Sequence, residues 1–339
     1  MHSAITVPIV MMPPSSAMTG TARTEPGAVA ALSRDGAIAT VAAAPTVSIG
    51  VPVFNGERHL RSAIESLLGQ SFGDFELIIS DNASVDSTRD LCEEYVRRDS
   101  RVRYHRQSTN IGVARNWNFV ARAGRGRYFK WASSNDTCEP SMLAQCVKAL
   151  EENPGVALCY GRTRLIDDGG GTIELYKDDL EIMEERASDR FRTLKFKLAL
   201  NNAQSGLIRM AALRRSGLVR TYIAGDLPLM AEIALQGKWL LLPDYLLNRR
   251  MSEGSFSRLL SRQELVNFWN PGAGSRGGLD TLRLHRDYIA SVLRAPVPLR
   301  DRLGSLQLAL RGMYWDHPEI LRELREWVGR SGRDGAGHR

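Results

Sequence analysis

From residue 46 onward the chain alternates short apolar runs with amphipathic stretches. Val47 to Val53 is rich in β-branched residues and predicts a buried strand, followed by the loop Phe54-Asn55-Gly56 and a helix from Glu57 to Leu68. The pattern then recurs. Phe75 to Ser80 reads as a strand, and after the turn Asp81-Asn82-Ala83-Ser84 a helix capped by Asp86 runs through Tyr95. Val102 to His105 and Tyr128 to Ala132 are the next strands, with helices over Val113 to Ala123 and Pro140 to Asn153. Such an alternation predicts an α/β fold, a mostly parallel sheet flanked by helices.

The second half mixes element types. Val156 to Tyr160 predicts a strand, Asp167 to Gly171 a turn, Ser188 to Leu200 an amphipathic helix and Gly206 to Arg209 a strand. Asp226, ahead of Leu227-Pro228, reads as an N-cap opening a helix from Met230 to Gln236. Trp239 to Leu247 is the last predicted strand and leads into Asn248-Arg249-Arg250-Met251. Beyond Ser257 the apolar spacing turns helical, at Leu303, Leu306 and Leu310 and again at Ile320, Leu321, Leu324 and Val328. Stripes of this kind usually form core, so packing on the preceding domain or a homodimer contact is expected. Peripheral membrane contact through a basic amphipathic face is the other reading.

In parallel sheets, ligands bind outside the carboxyl ends of the strands. That rule singles out Phe54-Asn55, Asp81, Asn110 and Asp136, each of which follows a predicted strand. One such residue is an ordinary turn former. Polar side chains gathered from separate segments onto one sheet edge are what a nucleotide site requires.

Composition narrows the class. With 339 residues, 43% hydrophobic and 24% charged, the chain is globular, and no apolar stretch approaches the length of a membrane-spanning helix. Residues 1–45, rich in Ala, Thr, Pro and Gly, read as a flexible leader without the features of a secretory signal. Cys92, Cys138, Cys146 and Cys159 read as buried thiols of a reducing, cytoplasmic protein, since no C-x-x-C pair suggests zinc. The net charge of +7 is uneven: Arg249 to Arg339 holds 16 Arg against 10 Asp and Glu. No zinc-finger spacing or aromatic RNA-binding signature accompanies it, so nucleic acid is not an expected partner.

Three segments together resemble a known family. Ser48-Ile49-Gly50-Val51-Pro52-Val53-Phe54-Asn55-Gly56, Ile78-Ile79-Ser80-Asp81-Asn82-Ala83-Ser84-Val85-Asp86-Ser87-Thr88 and Asn110-Ile111-Gly112-Val113-Ala114-Arg115-Asn116 are similar to the successive signatures of family 2 glycosyltransferases with a GT-A, Rossmann-like fold. The resemblance covers Thr46 to about Ser257. It implies a nucleotide-sugar-binding half at 46–155 and an acceptor half at 156–257, beyond which the sequence pattern gives a helical C-terminal extension at 258–329 and a disordered tail at 330–339. It also implies transfer of a sugar from a nucleotide-diphosphate donor, UDP-sugar foremost, to a saccharide, lipid-linked or small-molecule acceptor. Polysaccharide or glycoconjugate biosynthesis in a bacterium, at the cytoplasmic face if the membrane is involved, would suit that chemistry.

Carried over by position, the resemblance implies that Pro52, Phe54, Asn55 and Glu57 line the nucleotide pocket and that Asp81 accepts an N–H of the base. Asn110, Gly112 and Arg115 would complete the floor, Gly112 allowing close backbone approach and Arg115 meeting phosphate. The family's metal position falls at Ser134-Asn135-Asp136, where many relatives carry two acids for Mg²⁺ or Mn²⁺. Here Asp136 is the one carboxylate and Asn135 is neutral. Asp226 matches the family's catalytic base of an inverting transfer, although an N-cap role alone also accounts for it. Many relatives have a histidine where Met251 stands, and Arg249 or Arg250 is expected to offset leaving-group charge instead. Trp131 either stacks on a sugar ring or belongs to the core.

A catalytically impaired nucleotide-sugar-binding or scaffold relative with a degenerate metal site is the alternative. A nicotinamide dehydrogenase is excluded by the lack of G-x-G-x-x-G after the first strand. A sugar-phosphate nucleotidyltransferase would need a glycine-rich basic loop where Pro52-Val53-Phe54-Asn55 stands.

Overall fold

The computed structural model describes residues 44–251, 262–271 and 278–334. The expected leader lies outside these except for 44 and 45, as do residues 335–339 of the expected tail. The remainder of that tail is helical as far as Asp334.

The first half follows the hydrophobic pattern closely. Strands β1 (Val47–Val53), β2 (Phe75–Asp81), β3 (Val102–Arg106) and β4 (Tyr128–Trp131) alternate with helices α1 (Leu60–Leu68), α2 (Thr88–Arg98), α3 (Val113–Ala123) and, after the short β5 (Thr137–Cys138), α4 (Met142–Glu152). β3, β2, β1 and β4 lie side by side and parallel, so the residues after them share one edge. Every residue of β1 is buried, as expected of a strand covered on both faces. Val47, Ile49, Val51 and Val53 pack with α1, α2 and α4. On the other face Gly50 allows α3 to lie directly on the strand: a Cβ there would sit 2.7 Å from Val120 Cγ2 and 2.8 Å from Phe129 Cζ.

The second half extends the same sheet. β6 (Val156–Ile166), β7 (Thr172–Leu175), β8 (Leu207–Arg209) and β9 (Lys238–Arg250) complete the order β3-β2-β1-β4-β8-β6-β9-β5, with β7 paired to β6. β8 is antiparallel to both neighbours, whereas β6 and β9 run parallel to each other. β6 runs six residues past the expected end at Tyr160, because β9 supplies a ladder partner to Ile166 that the local pattern does not reveal. Helices α5 (Ala187–Lys197), α6 (Met210–Arg214) and α7 (Leu227–Gln236) flank this half.

Helices α8 (Arg262–Trp269), α9 (Asp280–Arg294), α10 (Leu299–Trp315) and α11 (His317–Asp334) form the extension, which packs on the sheet domain as expected. Leu284, Tyr288, Val292, Leu308 and Ala309 join the cluster that holds Phe191 of α5 and Ile233 of α7. The face differs from the expectation: Leu303, Leu310 and Leu321 are exposed, while Ser305, Leu308, Ala309 and Gly312 turn inward because small residues admit the neighbouring helices. All four cysteines are free and buried. Among the described residues no helix is long and apolar enough to cross a membrane.

At the sheet edge opposite the strand ends, the buried Glu76 carboxylate ties β1, β2, β3 and the α3–β4 turn together. It accepts from Ser48 Oγ at 2.7 Å, Arg103 Nη1 at 2.8 Å, and the Arg125 backbone N–H and Nη2 at 2.9 and 2.8 Å. Burial opposes its charge, but these donors prevail and hold its pKa below the ordinary value. Glu76→Gln is expected to cost about 3 kcal/mol in chemical denaturation at neutral pH. A carboxylate held below its unfolded pKa stabilises above that value and ceases to do so as pH falls through the folded one, so the gap should close in acid.

Candidate active site

Two polar clusters occupy the carboxyl edge. In the first, the loops after β1 and β2 are laced together. Asn55, at φ 50°, donates its N–H to Ser84 Oγ at 2.8 Å and accepts the Val85 N–H on Oδ1 at 3.0 Å. Glu57 is exposed, and its carboxylate accepts from Ser87 Oγ at 2.7 Å, so its side chain braces the neighbouring loop. Asp86 accepts the N–H groups of Glu57 and Thr88 at 3.1 Å each. Pro52 is buried and Phe54 half-buried on this edge.

Asp81, at the end of β2, is fully buried. It accepts from the Ser84 N–H at 2.8 Å and Tyr104 Oη at 2.8 Å, with Arg106 Nε at 3.3 Å. Its capacity for a further N–H is therefore narrow, and these donors fix its direction. Asn82, which the sequence reading passed over, joins the next loop: Nδ2 donates to Asn110 Oδ1 at 2.8 Å and Oδ1 accepts the Ile111 N–H at 2.8 Å. Asn110 Oδ1 also takes the Gly112 N–H at 2.9 Å. Gly112 has φ +83°, and a Cβ there would meet Pro271 Cδ at 2.4 Å and the Trp269 carbonyl at 2.9 Å. The close approach expected of a diphosphate is made here by the end of α8. Arg115 is exposed on the first turn of α3. Trp131 is fully buried, with Nε1 donating to the Trp117 carbonyl at 3.1 Å. It belongs to the core and does not face a sugar.

The second cluster gathers around the end of β9. Successive residues of a strand face opposite ways, and Arg249 and Arg250 divide accordingly. Arg250 is buried, with Nε donating to the Asn135 carbonyl at 3.1 Å and Nη1 to the carbonyls of Asp167 and Asp168 at 2.6 and 2.7 Å. Its backbone N–H donates to Asp136 Oδ1 at 2.9 Å. Arg250 is thus a clamp on three loop carbonyls, and of the two arginines expected beside a leaving group it is the one engaged by backbone. Arg249 instead donates from Nη1 to Asn202 Oδ1 at 2.6 Å and lies in the field of Asp136, Asp179 and Asp226.

Asp226 heads α7, but its side chain makes no capping hydrogen bond. The carboxylate reaches across to Asn201, accepting Nδ2 on Oδ2 at 2.8 Å, while the buried Oδ1 has no hydrogen-bond partner. Asp226 thus holds the N-cap position without a capping bond from its side chain, and because an orphaned acceptor in a buried site is costly, a ligand donor is a natural complement. Burial pushes the pKa of Asp226 above the ordinary carboxylate value against the Asn201 hydrogen bond, two backbone N–H groups and Arg249. Asp136 and Asp179 are raised by burial as well.

Asp179, Asn201, Asn202 and Lys130 were not picked out by sequence reasoning. The polar pair Asn201-Asn202, a few residues ahead of the strand at Leu207–Arg209, was the available signal. Asn135 is buried beside Asp136. Among the described residues no three His, Cys, Asp or Glu side chains group as metal ligands. The surroundings of Asp136 are cationic, with Arg249, Lys130 and Arg250 favouring its charge. At the expected metal position Asp136 offers one carboxylate and Asn135 a neutral amide, with Arg249, Lys130 and Arg250 supplying positive charge close by.

Residues 48–219 match the family described as Glycosyl transferase family 2. The chain belongs to that family. Chondroitin synthase of Escherichia coli is 32% identical over 135 residues, which is 40% of this chain and 20% of the synthase. The glycosyltransferase GlyG of Streptococcus pneumoniae is 26% identical over 130 residues, or 38% of this chain and 43% of GlyG. The chain therefore spans less than half the length of these family members. Residues 1–349 of S. aureus TarS, solved in complex with UDP-GlcNAc, superpose with a TM-score of 0.59 at 15% identity, covering 84% of this chain and 80% of that one. The family's GT-A architecture, a mostly parallel sheet with helices on its faces, is the one observed.

The raised pKa of Asp226 carries a stability consequence. A carboxyl whose folded pKa lies above its unfolded value favours folding below the unfolded pKa, and this contribution disappears as pH rises through the folded one. Asp226→Asn should therefore raise the melting temperature at pH 7.5 by a few degrees and by less at pH 4.5. Thermal unfolding of both forms at the two pH values checks it; an equal shift at both would refute burial of the charge as the cause.

Proposed function

We propose that the protein is an inverting glycosyltransferase that takes a sugar from a nucleoside-diphosphate sugar, UDP-linked foremost, and joins it to an acceptor hydroxyl of a saccharide, lipid-linked or small-molecule acceptor. The observation that carries this reading is the buried, partnerless Oδ1 of Asp226 facing the same cluster as Arg249. Family membership supports the reaction class, and TarS, which shares the fold, was crystallised with UDP-GlcNAc. A scaffold that had lost its chemistry would gain stability by replacing this carboxylate, which supports activity over the impaired alternative.

In the proposed step the acceptor hydroxyl gives its proton to Asp226 Oδ1 as its oxygen bonds to the anomeric carbon. The bond from that carbon to the diphosphate oxygen breaks on the opposite face, and its electron pair leaves with the nucleoside diphosphate. Burial makes Asp226 a stronger base than a solvated carboxylate, which suits proton removal from an alcohol. Arg249 directs N–H groups at the charge developing on the leaving oxygens in a partly desolvated site. A divalent ion carried by the donor's own phosphates would supply additional charge neutralisation. Pro52, Phe54, Asn110 and the loop around Asp81 hold the nucleoside, and Arg115, exposed on the first turn of α3, meets the phosphates.

Nucleoside-diphosphate release from UDP-, GDP- and dTDP-sugars, with Mg²⁺, Mn²⁺ or EDTA, tests the reading. Turnover with one donor class is expected. Asp226→Asn should lower it by about 10²–10⁴-fold, and Arg249→Ala by about 10²–10³-fold, more than chelation does. Full activity of Asp226→Asn would remove it as the base.

A further inference from the structure

Asn201 and Asn202 are consecutive and buried, and each grips a different charged group of the site. Asn201 Nδ2 donates to Asp226 Oδ2 at 2.8 Å, and Asn202 Oδ1 accepts from Arg249 Nη1 at 2.6 Å. The chemistry admits one orientation for each amide, because only the NH₂ side can face a carboxylate and only the carbonyl side a guanidinium. Asn202 meets both demands at once: its Nδ2 donates to Asp179 Oδ1 at 3.0 Å. Asp179 is in turn held by the Thr163 backbone N–H at 2.6 Å and Thr163 Oγ1 at 3.1 Å.

The short 3-10 turn Asn202–Ser205 that carries this pair is pinned at both ends. The Leu200 N–H donates to Tyr176 Oη at 3.1 Å, and the fully buried Lys130 donates from Nζ to the Ser205 carbonyl. Buried amides cost desolvation, and two apolar residues would fill the same space with less penalty. What they add is direction. Asn201 occupies one carboxylate oxygen of Asp226 and leaves the other without a partner, and Asn202 ties the guanidinium to a backbone that also bears Asn201.

We propose that Asn201 and Asn202 are paired positioning residues: Asn201 sets the rotation of Asp226 so that Oδ1 meets the acceptor hydroxyl, and Asn202, braced by Asp179, aims Arg249 at the diphosphate. The inference rests on the roles of Asp226 and Arg249 proposed above. Its particular content is that one peptide unit, rather than two independent loops, fixes the base relative to the phosphate ligand.

The test uses the full chain with Asn201→Ala and Asn202→Ala, and with Asn201→Ser and Asp179→Asn as milder second variants should the first fold poorly. Calorimetric titrations with UDP and with uridine are paired with steady-state kinetics on the donor found active. Asn202→Ala and Asp179→Asn should weaken UDP about tenfold and leave uridine unchanged, because only the diphosphate meets Arg249. Asn201→Ala should leave UDP affinity and donor KM unchanged and lower kcat by about tenfold to a hundredfold. It should also shift the acid limb of kcat upward, since a donor favouring ionised Asp226 is lost while Arg249 of β9 and Tyr288 of α9 still face the carboxylate. A merely structural role would move KM, kcat and uridine affinity together, and that outcome overturns the inference. Wild-type protein that binds and turns over donor while the variants match it overturns the inference alone. Wild-type protein that neither binds UDP nor turns over any donor overturns the reading of the site as well.

Discussion

The clamp made by Arg250 is the constraint on which the site depends. Its side chain holds the Asn135, Asp167 and Asp168 carbonyls, and its backbone N–H holds Asp136, so the end of β9, the loop after β4 and the turn after β6 are bound as one body. Alternation along the strand then leaves Arg249 no choice but the opposite face, toward Asn202 and the carboxyls. Two adjacent arginines of the same chemistry thereby acquire unlike roles. Exchanging their environments would need a one-residue slip of β9 against β6, which a buried ladder pairing Leu165 with Arg249 and Ile166 with Arg250 resists.

That geometry concentrates charge where burial penalises it. Three carboxyls, Asp136, Asp179 and Asp226, surround one guanidinium, and burial raises all three while lowering Arg249. Stability alone would favour amides or apolar residues at these positions. The edge around Asp81 is managed differently: its donors come from the Ser84 N–H, Tyr104 and Arg106, and nothing in that cluster is left orphaned. The Asp81 carboxylate at the end of β2 is therefore satisfied, whereas the cluster at the end of β9 holds the carboxylate with an unpartnered oxygen. Such a division suits a reaction in which the donor is held in place and the chemistry occurs where the polar groups still lack partners.

How far the sequence foretold this varied with the range of the interactions. β1 and α3 begin and end where their local patterns predict, because β-branched density and apolar periodicity act within each element. The continuation of β6 and the β7 hairpin lie beyond the predicted elements: Arg162, Thr163 and Arg164 interrupt the apolar run although no residue from Gly161 to Ile166 is exposed, β7 is exposed throughout, and the long-range partner β9 makes a strand of Gly161 to Ile166. Asp226 was identified through resemblance, yet its partner Asn201 lies 25 residues away in a stretch without periodicity. Arg249 and Arg250 were indistinguishable in sequence, since strand phase decides between them. Leu303 and Leu310 suggested the inward face of α10, but close helix packing is set by Ser305, Ala309 and Gly312, and a scan for large apolar residues passes over these.

The extension shares a core and a hydrogen-bond network with the sheet domain. Glu232 of α7 accepts from Arg220 Nη2 at 2.8 Å and the Gly217 N–H at 2.7 Å on the loop ahead of Asp226, and from Ser291 Oγ and Arg294 Nη2 of α9 at 2.9 and 2.8 Å. Tyr222 Oη, on the same loop, donates to Asp287 of α9 at 2.8 Å. That loop bends through positive φ at Leu218 and Ala224, conformations that non-glycine residues hold only when their surroundings impose them. Two helices hold it: Asn118 of α3 accepts the Val219 N–H at 3.0 Å and donates to its carbonyl at 2.8 Å, and α9 accepts from Tyr222 through Asp287. The position of Asp226 is therefore supported by Asn201 directly and, through the loop ahead of it and Glu232, by α3 and α9. A chain ending before α9 would keep the sheet but lose the contacts of Asp287, Ser291 and Arg294 with the segment around Asp226.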